Sequence, residues 1–240
     1  HFLGTLWHTQ LSFDGCDALL SSLSIEGCAD CVIEVMGPSS VHMEDVSVAA
    51  RGIQPDYAAV SVDGNGKRGQ GQLSAIHSSF HSKAGSGLQV EKSGRALLLE
   101  GCSCDGCGQC GLCVLDEGSL LEVYGSSVCD SECNMEVSEG GRAEIVTSRL
   151  EGARVGPGLG AHCVGSTAIA VACSMSKCAC GVLVREGASA SMQGCACDDS
   201  TYGSGLCVVE AGSIASASGC SFSGSTLNNM FVSDGAYAEL

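Results

Sequence analysis

At 240 residues with 45% hydrophobic content, the chain is long enough to bury a continuous core as one domain. Its 27 acidic and 11 basic residues give a net charge of −16, which argues against nucleic acid or an anionic membrane surface as a partner. No apolar run approaches the ~20 residues of a membrane-spanning helix, so no membrane insertion is expected. The chain opens on His1 without a signal-peptide pattern and is expected to be a segment of a longer polypeptide.

Residues 1–19 show no copy of the pattern that follows and are expected to form an N-terminal cap or lead-in. Leu23-Ser24-Ile25-Glu26-Gly27-Cys28 reads as the end of a first coil. From there a tetrapeptide of small, apolar, any residue and valine recurs. Its copies end at Val35, Val62, Val90, Val114, Val137, Val164, Val184, Val208 and Val232, separated by 27, 28, 24, 23, 27, 20, 24 and 24 residues. A period near 25 is the signature of stacked repeats. Within each copy, strand alternation sends one pair inward, as in Leu88 and Val90, Leu112 and Val114, His162 and Val164, or Leu206 and Val208.

An acidic, glycine-containing corner follows the tetrapeptide, as in Asp116-Glu117-Gly118, Glu139-Gly140, Glu186-Gly187, Glu210-Ala211-Gly212 and Asp234-Gly235. Next comes a second inward pair (Leu97 and Leu99, Leu121 and Val123, Ala143 and Ile145, Ala190 and Met192). After a small bend there is a third: Cys102 and Cys104, Ser126 and Val128, Cys173 and Met175, Cys195 and Cys197, Cys220 and Phe222. Three short strands per repeat, none able to bury its apolar face alone, predict an all-β fold. The expected architecture is a single-stranded right-handed parallel β-helix over residues 20–240, with about ten coils stacked about 4.8 Å apart.

The 18 cysteines raise disulfides and metal. Cys102, Cys104, Cys173, Cys195, Cys197 and Cys220 fall in inward columns, where free cysteine serves as a small hydrophobe. Cys113, Cys163 and Cys207 fall at the outward residue of the tetrapeptide. Cys113 and Cys207 are therefore expected to be accessible. The run Cys102-x-Cys104-x2-Cys107-x2-Cys110-x2-Cys113 resembles zinc-ligand spacing but lacks a second CxxC about fifteen residues away or a nearby histidine. Cys107 and Cys110 are within reach of pairing with Cys129 and Cys133 of the next loop. Mostly reduced, structural thiols are expected, with no cofactor and no metal. The absence of Asn-x-Ser/Thr sequons leans the same way.

Other motifs are weak. Gly64-Asn65-Gly66-Lys67-Arg68-Gly69 matches GxGxxG, but a glycine-broken strand follows it instead of the helix that would meet a pyrophosphate. His162 reads as a core histidine, and His42, His77 and His81 as isolated. The stacked corner carboxylates suit calcium in charge, though not in the motif of calcium-binding solenoids.

Gly-Leu-Gln-Val (87–90), Gly-Leu-Cys-Val (111–114 and 205–208) and Asn-Met-Phe-Val (229–232) resemble the Gly-Ile-x-Val strand starts of the pectin-lyase-like superfamily over roughly residues 20–240. That resemblance implies the fold. It spans polysaccharide lyases, glycoside hydrolases, and non-catalytic β-helices of eukaryotic F-box and SHC-binding scaffold proteins. The hydrolases' clustered aspartates are matched only by Asp198-Asp199, without a neighbouring histidine. The lyases' arginine base has only Arg95, Arg142 and Arg185 to draw on, coils apart. No catalytic residue is assigned and an enzyme is not expected. The expectation is a scaffold or protein–protein interaction module, partnered by other protein subunits. Its candidate contact face is the outward row Leu183, Cys207 and Phe231. A reducing, cytoplasmic assembly fits the thiols, and only its cytoskeletal or ciliary type follows from the resemblance to scaffold members. The rival expectation is a secreted, carbohydrate-active β-helix.

Overall fold

A computed structural model describes residues 2–4, 11–27, 31–53, 55, 57–64 and 69–240, with side chains from residue 11 onward. Among the described residues, thirty strands form three parallel sheets of ten strands each, and every strand except the first and last of each sheet pairs with the equivalent strand one repeat before and after. This is the expected right-handed parallel β-helix, about nine turns of roughly 24 residues, with no helix among the described residues. One rung reads Cys133–Val137 in sheet 1, Arg142–Val146 in sheet 2 and Arg149–Glu151 in sheet 3. Strands Leu11–Asp14 and Asp17–Ser21 pair in register with Ile33–Met36 and Ser40–Glu44. The rung pattern thus begins inside the segment expected as a lead-in. Trp7, Cys28 and Lys67-Arg68 of the GxGxxG loop lie outside the described residues.

The core is a single column filled by the inward pairs. Leu88, Leu112, Met135, Val182 and Leu206 are fully buried, as are the valines two residues after each. Each such side chain contributes roughly 1.5–3 kcal/mol through burial. Met230 of the last rung is only partly buried.

Two rungs depart from the expected register. Leu159 and Ala161, not His162 and Val164, are the inward pair of their rung, aligned with Met135 and Val137 before and Val182 and Val184 after. Val164 is 80% exposed. The corner explains the slip. Cys163 has φ 68°, the left-handed geometry also adopted by Asp116, Glu139, Glu186 and Glu210, so the strand has already ended there. With Ala161 in place, the spacing from residue 114 onward becomes 23, 24, 23, 24 and 24. In the rung of Val90, Ala96 and Leu98 point inward in place of Leu97 and Leu99. There Ser93 (φ 70°) takes the left-handed place that Gly118 holds in the next rung, so aligning on the glycine misplaces the strand by one.

The bend before sheet 3 carries a ladder of serines and cysteines. Ser78, Ser126 and Ser148 each donate Oγ–H to the carbonyl two residues earlier, at 2.9–3.0 Å. Cys173, Cys195 and Cys220 donate Sγ–H to the same place, at 3.3–3.6 Å. These thiols do a hydroxyl's work in a buried bend. All seventeen described cysteines are free.

Candidate functional site

The outer face of sheet 1 carries a convergence that no single repeat encodes. In Cys110–Val114, Gly111 lies flat against the core, because a Cβ there would come 2.2 Å from Val128 Cγ1. Cys110 and Cys113 flank it. The next strand repeats their spacing in register, with Cys133 opposite Cys110 and Glu136 opposite Cys113. The three thiols form a small cluster of their own, 8% exposed each, with Leu115 packed against it. One donor atom each from Cys110, Cys133 and Glu136 lies within 4.8 Å of the others, and Cys110 Sγ is 3.4 Å from Glu136 Oε2. Cys133 Sγ also faces the carbonyls of Met135 (3.3 Å) and Pro157 (3.4 Å).

The following rung places Pro157 and Gly160 at these two positions, and the one after it places Leu183 beside Gly160. A groove of about 440 Å³ lies on this face. Cys110, Cys133 and Glu136 line it on one side, and His162, Leu183 and Arg185 on the other. A Cβ at Gly160 would sit 2.7 Å from His162 Nε2, so the imidazole occupies the space that a side chain there would take. Arg185 Nε donates to His162 Nδ1 at 2.7 Å. A guanidinium cannot accept, so Nδ1 is the acceptor and the neutral ring carries its proton on Nε2. Burial, with the Arg185 charge second, holds the His162 pKa below its ordinary value.

The cluster's charges are shared. Hydrogen bonds from the Cys113 and Cys133 thiols pull the Cys110 pKa down, and the same bonds, with burial, push those of Cys113 and Cys133 up. Burial, then the negative charge on Cys110, raises Glu136 to about 7. The arrangement is a set of three thiols whose ionisations are linked, Cys110 the most acidic of them, beside a carboxyl that titrates near neutrality. Chemically it is a soft, anionic donor set at the floor of an open groove.

Cys113 does face outward, but neighbouring thiols cover it, which corrects the expectation of an accessible residue. Cys207 on the same column is half-buried. Glu136 was not readable as a neighbour of the cysteine run. Cys133 does lie beside Cys110, as the neighbouring loops led one to expect; the CxxC spacing of about fifteen residues misses Glu136, which the solenoid delivers opposite Cys113 one rung, 23 residues, downstream. Cys107 sits elsewhere, buried with its thiol toward the Phe80 carbonyl. His162, expected in the core, is buried at the groove wall instead.

The remaining expected residues fall as follows. Leu183, Cys207 and Phe231 stack in register on three adjacent rungs, and Phe231 is 42% exposed. Asp198 Oδ1 accepts from the Ser223 amide (3.1 Å) and hydroxyl (2.7 Å) of the next rung, and Asp199 occupies a left-handed corner at φ 57°. At the corner column, Lys92 Nζ bridges Asp63 (2.8 Å) and Glu91 (3.0 Å). His42 hydrogen-bonds Ser74 Oγ and His81 the Asp105 carbonyl, both at 2.7 Å. No protein-family model matches the chain, and no curated protein matches it.

Proposed function

We propose that this solenoid is a non-enzymatic structural scaffold, a protein–protein interaction module within a larger assembly, closest in kind to the scaffold members of the pectin-lyase-like superfamily. The observation that carries this reading is the unbroken row Leu183–Cys207–Phe231, in register on the outer face of sheet 1. A parallel ladder holds such a row at fixed spacing, which is what a docking partner needs from a rigid surface. The alternative, a secreted polysaccharide-degrading β-helix, loses its main acidic candidate: the Asp198 carboxylate is committed to ordering the next rung. The reading extends to a reducing, cytoplasmic setting, of cytoskeletal or ciliary type, because neighbouring thiols such as Cys110 and Cys133 remain unpaired.

The test is affinity capture from the native source with the wild-type chain and with Phe231→Glu, beside an activity screen on uronate polymers. Capture of a defined subunit that Phe231→Glu weakens, with the circular dichroism spectrum unchanged, is the expected result. Turnover of a uronate polymer that Asp198→Asn abolishes would overturn the reading.

A further inference from the structure

We propose that Cys110, Cys133 and Glu136, with Cys113 as fourth donor, form a Zn²⁺ site that staples two neighbouring rungs of the solenoid. This goes beyond the scaffold reading and does not depend on it. Four observations carry it. First, the donors converge: one atom each from Cys110, Cys133 and Glu136 lies within 4.8 Å of the others, while Cys113 packs in the same thiol cluster. Second, the geometry is close to that of a bound ion. Zn–S of about 2.3 Å and Zn–O of about 2.1 Å in a tetrahedron imply an S···O edge of roughly 3.6 Å. Cys110 Sγ and Glu136 Oε2 are 3.4 Å apart, close to that edge, while the Cys113 thiol, outside the 4.8 Å group, has to turn toward the other three to complete the tetrahedron.

Third, Cys110 is used differently from the cysteines of the bends. The bend cysteines Cys173, Cys195 and Cys220 each satisfy a backbone carbonyl two residues back. Cys110 instead directs its sulfur at a carboxylate, and its nearest sulfurs are Cys113 and Cys133. Fourth, the donor set discriminates. Three sulfurs and one carboxylate oxygen are too soft for Ca²⁺ or Mg²⁺ and suit a tetrahedral, borderline-soft ion. The groove beside Gly160 gives the ion its entry path.

Binding replaces thiol protons by the metal, releasing them to solvent. It also neutralises charge in a half-buried pocket of a chain whose net charge is −16. The ligands come in pairs from successive rungs, so the ion adds a tie on the outer face to the backbone ladder and core packing that already join the two strands.

The experiment titrates the reduced, metal-free 240-residue chain with Zn²⁺ alone by calorimetry, and separately with Co²⁺ followed by absorbance. The expected result is one ion per chain, a rise in melting temperature with Zn²⁺, and sulfur-to-cobalt charge-transfer bands with the intense visible bands of tetrahedral Co²⁺. Cys110→Ser and Cys133→Ser should each weaken binding by more than the ~10–100-fold typical of losing an outer-shell partner. Cys173→Ser and Cys195→Ser should leave it unchanged. Absence of stoichiometric binding overturns the proposal. So does binding indifferent to Cys110 and Cys133, or octahedral Co²⁺ without sulfur bands. The cobalt spectrum of the wild-type chain decides the matter even if a serine variant fails to fold.

Discussion

A buried cysteine in this molecule takes its meaning from what its sulfur faces, and Cys173 and Cys197 differ in it. Cys173 Sγ donates to the Val171 carbonyl, in the column where Ser148 donates to Val146 one rung earlier. Cys197, fully buried in the core, has the Met175 sulfur at 3.9 Å. A serine hydroxyl at 173 inherits an acceptor; at 197 it would be buried among apolar side chains without one. Cys173→Ser is therefore expected to change stability by less than about 1 kcal/mol, and Cys197→Ser to cost about 1–3 kcal/mol. Urea unfolding of the two variants measures this, and equal losses would show that the bend ladder does not use the thiol as a donor. The inward placement of both residues was readable from alternation alone. Their different partners were not, because a thiol donor and a small hydrophobe leave the same letter in the sequence.

At the scale of the element, several sheet 1 strands carry near their start a glycine whose Cα packs directly on the next rung. A Cβ on Gly87 would lie 2.7 Å from the Gly111 carbonyl oxygen, one on Gly181 2.4 Å from that of Gly205, and one on Gly205 2.8 Å from that of Asn229. Glycine here permits a close approach, with no positive φ involved at these three positions. Asn134 stands in the same column and makes up for its side chain by donating Nδ2–H to the Glu151 carbonyl at 2.9 Å. Gly181→Ala is thus expected to push neighbouring rungs apart at a cost of about 1–3 kcal/mol, the range for overpacking. An unchanged melting temperature would mean the ladder relaxes freely at that point. The tetrapeptide was legible because these glycines recur. The rung of Leu159 was misread because Pro157-Gly158-Leu159-Gly160-Ala161 lacks a valine, and His162-Cys163-Val164 supplied a false one three residues on. The site inherits that gap: the His162 ring packs over Gly160 and forms part of the groove wall. A functional surface built by the breakdown of a repeat is hardest to read from the repeat itself.

The whole molecule is a stack in which each rung is stabilised by its two neighbours, so the same residue in the same column should matter differently along the axis. Fold class and coil number were legible because stacking imposes one period on every column. The thiol and carboxylate cluster was not, because its members converge only across rungs, and its columns elsewhere hold Gln89, Leu183 and Cys207. The axial dependence can be tested on the valine column. Val114 lies in the middle of the stack, fully buried, with Val90 and Val137 above and below. Val232 is its counterpart in the last rung of this chain, paired on one side only and 42% exposed. An aspartate at 114 would be an unpaired charge inside a continuous apolar column, and Val114→Asp is expected to cost on the order of 3–5 kcal/mol. At 232 the carboxylate reaches water by turning outward, and Val232→Asp should cost about 1 kcal/mol or less. Hydrogen exchange should follow the same gradient, with amides of Met230–Val232 exchanging well before those of Cys133–Val137. Equal destabilisation at the two positions would mean that the rod melts as one inseparable unit rather than rung upon rung.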